Sequence, residues 1–207
     1  VGFRDVLGDS VWVYSTQLPM DNGVGKTVLT PATHTFIIVK TEDNKIHYYA
    51  YGPENDNMTG DRLVKTSYTQ DIQVYTDKEK GVNNENLKKR ILVEIPEGMT
   101  QDQFDKSVIK TAESFGNNPA IKYDIFSSSD LTGNCNTSTS TILNKSGVSE
   151  KQIDKIEKKI PGLNWGFGDL KPWTKEEQKK VVDKAVDKNK QEKKEAEKKA
   201  DSNFKYQ

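Results

Sequence analysis

The chain has a single cysteine, Cys135, inside the stretch Asp130-Leu-Thr-Gly-Asn-Cys-Asn-Thr-Ser-Thr-Ser-Thr-Ile-Leu143. Gly133 and Asn134 favour a loop, and the residues after the cysteine lead into Ile142-Leu143. The stretch therefore reads as a loop that turns into a helix, with the thiol in the first turn. The positive end of the helix dipole stabilises an anion there, and a thiol so placed ionises more readily. A thiol nucleophile needs a base to take its proton and return it to the leaving group. The chain offers two imidazoles, His34 and His47. His34 opens Thr35-Phe-Ile-Ile-Val39, just past Pro31-Ala-Thr33. A strand end beside a loop gives a side chain access to substrate while its backbone is held rigidly. A lone cysteine is most often a small buried hydrophobe, but the Asn, Thr and Ser neighbours of Cys135 make a poor apolar environment and favour the reactive reading. A histidine at a strand start is usually structural, so the role of His34 depends on that of Cys135. Two histidines, one cysteine and no carboxylate cluster do not compose a zinc site. No other cofactor is indicated.

The elements that position these groups follow from periodicity. Ser10-Val-Trp-Val-Tyr-Ser15 alternates as a strand. The glycines and prolines of 16–32 predict a loop. Its Gly23-Val-Gly-Lys-Thr27 lacks the earlier glycine of a phosphate loop. Residues 34–39 and 46–51 predict a hairpin turning at 41–45 and stopped by Gly52-Pro53. Residues 54–70 read as loop, and 71–76 and 90–95 as short strands. Thr100 and Gln103 form a capping box for a helix whose apolar stripe is Phe104, Val108, Ile109 and Ala112. Residues 121–126 read as extended. The cysteine helix is expected over about 134–145, and Ser149 with Gln152 opens another helix. The aromatic-rich segment 161–173 is expected to pack on the body, with Trp165 and Phe167 as core or lid. Residues 1–170 thus make one domain, and 171–207 a charged C-terminal helix and tail. That helix has Glu–Lys neighbours and no sustained apolar stripe, so it reads as solvated rather than as a coiled coil. The sharper alternative is a surface for a partner or acidic lipid.

Lys and Arg total 31, Asp and Glu total 31, and the formal net charge is +0. No global field argues for nucleic acid. No apolar run approaches the ~20 residues of a membrane span. One cysteine excludes an internal disulfide and leaves the compartment open. The chain begins at Val1, as a processed product or an excised piece would.

His34 on a core strand, a hairpin after it and Asn134-Cys-Asn-Thr137 opening a helix together resemble the papain-like superfamily of NlpC-type cell-wall peptidases and amidases. The cysteine follows the histidine, the order of the circularly permuted branch that includes lecithin–retinol acyltransferase-like enzymes and bacterial hydrolase and toxin domains. Gly8-Asp9 before the first strand is similar to the Gly-Asp pair common in that branch. The resemblance covers roughly residues 8–147 and implies an α+β permuted papain-like fold, with an antiparallel sheet and the cysteine helix packed across it. It implies Cys135 as nucleophile, His34 as base, and a third polar residue on the return strand. Chemistry favours His47 for that place, and register favours Tyr49 or Tyr51. Tyr123 stands near where the family places a tyrosine beside the oxyanion site, although a packed aromatic is the commoner role. The implied activity is hydrolysis of a peptide, isopeptide or cell-wall amide, and a secreted bacterial toxin or effector would suit it. The alternatives are a lipid acyltransferase or thioesterase, and a non-catalytic binding module of the same fold. The stretch 52–98 is longer than a minimal member requires, as a substrate-shaping insert would be.

Overall fold

Strands with alternating faces and helices with one apolar stripe fix the architecture in the computed structural model, which describes residues 10–21, 27–55, 59–66, 89–115, 121–127, 129–172 and 175–204. The chain divides into two units, Val1–Lys171 and Pro172–Gln207.

The first unit is α+β. Its strands are β1 (Ser10–Asp21), β2 (Thr27–Lys40), β3 (Ile46–Pro53), β4 (Thr59–Thr66), β5 (Lys89–Leu92), β6 (Lys122–Asp124) and β7 (Thr132–Gly133). Its helices are α1 (Gln101–Phe115), α2 (Cys135–Lys145) and α3 (Glu150–Glu157). The strands form one sheet in the order β5-β1-β2-β3-β4-β6-β7. The sheet is mixed rather than wholly antiparallel, because β6 and β7 run parallel. They are joined by a looping segment instead of a tight hairpin.

The β1–β2 ribbon is longer than the sequence suggests. The expected loop over 16–32 is largely strand, with a register shift between Gln17 and Pro19. A proline is tolerated at such an irregularity, where its missing N–H costs little of the ladder. The expected loop over 54–70 contains β4, whose polar composition hides it; in its described part Leu63 alone is deeply buried. The expected strand at 90–95 is the shorter β5. The expected strand at 71–76 and Gly8-Asp9 lie outside the described residues.

The sheet has two buried faces. Register places Trp12, Tyr14, Phe36, Ile38 and Tyr48 on one face, where Tyr14 and Phe36 stack at 5.4 Å. The other face carries Ile37, Val39, Tyr49 and Tyr51. Helix α1 packs on it: the Tyr51 hydroxyl donates to the Ala112 carbonyl at 2.7 Å, and the Tyr51 ring meets Phe115 edge-on at 5.1 Å. The capping box of α1 is formed by Thr100 and Gln103, and that of α3 by Ser149 and Gln152.

Helix α2 is unusual in chemistry. Every residue from Cys135 to Leu143 is buried, and most are Ser, Thr or Asn. Their hydroxyls are satisfied locally: Ser138 Oγ donates to the Asn134 carbonyl at 2.8 Å, and Ser140 Oγ to the Asn136 carbonyl at 3.2 Å. Back-bonding of this kind lets small polar residues enter a core without orphaned groups.

The second unit contains α4 (Lys175–Phe204). Exposed pairs such as Lys180–Glu176 and Lys188–Glu192 run along it at helical spacing, and Val182 and Val186 face solvent. Each such pair contributes only a few tenths of a kcal/mol, roughly 0.3–0.5.

Candidate active site

Pairing between β2 and β3 runs from Ile37↔Tyr49 to Lys40↔Ile46. N-terminal to Ile37, the same edge of β2 meets other partners. The Thr33 N–H donates to the Leu163 carbonyl at 2.8 Å, and the Thr33 carbonyl accepts from Asn136 Nδ2 at 3.0 Å. The N-terminus of α2 thus occupies the position of a neighbouring strand.

Asn134 caps that terminus. Its Oδ1 accepts the backbone N–H groups of Asn136 and Thr137 at 2.9 and 3.0 Å. The Asn134 N–H in turn reaches Thr137 Oγ1 at 2.8 Å, which completes a capping box. Asn134 Nδ2 donates to the carbonyls of Ile125 and Trp165 at 2.8 and 2.9 Å. One side chain therefore ties the thiol's turn to two loops. Gly166 lies in the second of them at φ 77°, where a Cβ would stand 2.7 Å from Thr137 Cγ2. Ser127, in the first, holds φ 51° without being glycine. Lys171, 3% exposed, anchors this corner through Asp169 Oδ2 at 2.5 Å and the Ser129 carbonyl at 2.9 Å.

Cys135, 4% exposed, and His34, 6% exposed, meet at this edge. Burial pushes the thiol up. The charge of His34 and its hydrogen bond to the sulfur, joined by the backbone N–H groups of Thr35 and Asn136, outweigh burial and hold the thiol below its ordinary value. The in-plane position explains how groups from both faces converge. Thr35 points to the helix side, where its hydroxyl donates to Asn136 Oδ1 at 2.9 Å and pairs with the Thr139 hydroxyl at 3.1 Å. His34 belongs to the opposite face, with Phe36 5.9 Å away, and interacts with the sulfur at this helix-capped edge.

Tyr123 is buried on β6. Burial, then the charge of Cys135, then that of Asp124 push its phenol well up. It is therefore a neutral phenol within reach of the charge on Cys135.

His47 is not brought to His34. It pairs with Val39, about 17 Å along β2 from His34 at roughly 3.3 Å per residue. A tight turn centred on Asp43 would set it opposite Ile38 or Lys40, on the face of His34. The actual register turns it to the other face of the sheet, where it stacks on Tyr49 at 6.4 Å. Tyr49 and Tyr51 share that face, so neither approaches His34 from the side of its ring; Tyr51 bonds to α1, and Tyr49 lies under Lys65 Nζ at 4.5 Å. A difference of one residue in the turn decides this, because side chains alternate faces along a strand.

Two features were missed in the sequence. Asn134 and Asn136 flank the cysteine and carry most of the hydrogen bonds that place it. The signal was present as an Asn before a helix with Thr137 three positions on, a capping pattern with Thr in place of Glu or Gln. Phe126, 63% exposed, leans against Trp165 at 5.1 Å. Phe167 is core and Trp165 half-buried.

Among the described residues no group of three His, Cys, Asp or Glu side chains could hold a metal ion, and no helix is long and apolar enough to cross a membrane. Compared with known protein families, curated proteins and solved structures, the chain finds no match.

Proposed function

We propose that the chain is a cysteine-dependent hydrolase that cleaves an amide bond in a peptide or cell-wall peptide through an acyl-enzyme on Cys135. The observation that carries this reading is the buried thiol at a capped helix N-terminus, held below its ordinary pKa by His34 and two backbone N–H groups. A merely structural cysteine is raised by burial. In this reading the Cys135 thiolate attacks the carbonyl carbon, and the oxyanion is met by the Cys135 N–H and the Tyr123 hydroxyl. Collapse of the tetrahedral intermediate breaks the C–N bond, and the His34 imidazolium protonates the departing amine. Water, giving a proton to His34, then attacks the thioester and releases the acid. The order of histidine strand and cysteine helix is that of a permuted papain-like fold, the finer architecture this reading adopts.

The test is alkylation by iodoacetamide across pH, with mass spectrometry to locate the adduct. A half-maximal rate well below pH 8 is the expected result. Labelling only above about pH 8.5, the range of an ordinary thiol, and unchanged by His34→Ala, would sink the proposal. A second reading, acyl transfer from a lipid ester, draws on exposed Phe126 leaning against half-buried Trp165 beside Asn134, an apolar surface suited to an acyl chain. It predicts a burst of acyl release from a lipid ester and none from peptides. A non-catalytic binding module would trap no acyl group from either.

A further inference from the structure

With His47, Tyr49 and Tyr51 on the other face, the group that keeps Cys135 and His34 in register must be sought elsewhere. Asn136 immediately follows Cys135, and its side chain is 2% exposed. Nδ2 donates to the Thr33 carbonyl at 3.0 Å and to the Trp165 carbonyl at 3.2 Å. Oδ1 accepts from Thr35 Oγ1 at 2.9 Å. Two carbonyls at one end of the amide fix which end is nitrogen, since a carbonyl only accepts. Thr33 and Thr35 are the two neighbours of His34. The amide therefore grips β2 immediately before and immediately after the imidazole. Its own backbone sits one residue from the sulfur, and its Oδ1 accepts from the Cys135 S–H at 3.7 Å in the thiol form.

We propose that Asn136 is the positioning residue of the pair, holding Cys135 against His34 by clasping the strand on both sides of the imidazole. The proposal rests on the reading of Cys135 as a nucleophile. A third residue of a triad commonly orients the imidazole ring directly. Asn136 fixes the strand that carries it, and the same grip presents the Thr35 N–H to the sulfur. The grip has a defined polarity. A carboxylate in place of the amide would lose both donations to carbonyls and place a negative charge about as far from the sulfur as Oδ1 is now, 3.7 Å, which disfavours the thiolate.

The experiment is the iodoacetamide pH profile of Cys135 in the full chain, for wild type, Asn136→Ala and Asn136→Asp, with circular dichroism on each. The expected result is a midpoint shifted upward by about one unit in Asn136→Ala, giving about tenfold slower labelling at pH 7, with the high-pH plateau kept. Asn136→Asp, closest in shape, is expected to shift further than Ala. The added charge acts in the same direction as the lost donations, so the Ala variant carries the test. A folded Asn136→Ala with the wild-type midpoint overturns the proposal and leaves the nucleophile reading intact. A wild-type midpoint near about 8.5 overturns both. If Asn136→Ala does not fold, Thr35→Val decides. It removes one bond of the clasp while keeping the Thr35 N–H, and slows labelling at pH 7 by about threefold if one clasp bond is worth roughly half a pKa unit. An unchanged midpoint there overturns the proposal.

Discussion

The two halves of the described C-terminal part of β2 present one continuous edge to different partners. Residues 37–40 pair with β3. At residues 33–35 the edge is taken by the end of α2 and the loop at Leu163. In the first half strand pairs with strand, and Ile37, Ile38 and Val39 fill the core. In the second, strand groups meet a loop carbonyl, one side-chain amide and a sulfur. A strand partner would have used the Thr35 N–H for a ladder bond; a helix terminus leaves it to support an anion. The two histidines make the same contrast, one at the helix-capped half and one at the strand-paired half. Ionisable chemistry gathers where regular pairing stops.

The largest effect expected on this comparison is on stability. Ile37→Ala, at a fully buried position of the paired half, should cost about 2–5 kcal/mol in chemical denaturation while leaving the alkylation midpoint of the folded protein unchanged. His34→Ala should do the opposite. Its partner charge gone, the thiol is left to burial, which raises it. The midpoint then rises above the ordinary thiol range, and labelling at pH 7 falls by at least about tenfold. The sign is fixed because only the thiolate reacts: whatever raises the pKa depletes it at neutral pH. Tyr51→Phe removes one buried hydrogen bond and should cost about 1–2 kcal/mol, read as a shift in the denaturation midpoint. His47→Ala is the smallest. With the imidazole on the far face, labelling should stay within about twofold of wild type across pH, as for substitutions remote from a site. A loss like that of His34→Ala would erase the distinction between the two halves.

How much of this was readable in the chain differs by feature. Cys135, its helix and the strand of His34 were legible, because one Cys and two His leave few combinations and because the apolar strand is strong. The capping boxes at Thr100 and Ser149 were legible for the same local reason. The place of His47 was not. Turn geometry between Lys40 and Ile46 sets the face of every residue after it, and a turn's register is not written in any one residue. β4 was hidden because its partners lie on β3 and β6, so its polar residues carry no local sign of pairing. The roles of Asn134 and Asn136 depend on carbonyls far along the chain, such as those of Thr33 and Trp165, contacts that local pattern cannot foresee.

The terminus of α2 has a consequence for solubility. An uncovered strand edge is a template on which another chain can add a strand. Here the helix end, with the loop at Leu163, seals that edge over residues 32–35. The contacts that seat the thiol also keep the sheet from recruiting neighbours. Substitutions that loosen Asn134 or Asn136 would therefore reveal themselves through self-association as well as through a slower thiol, and light scattering would register the first where no substrate is yet at hand to register the second.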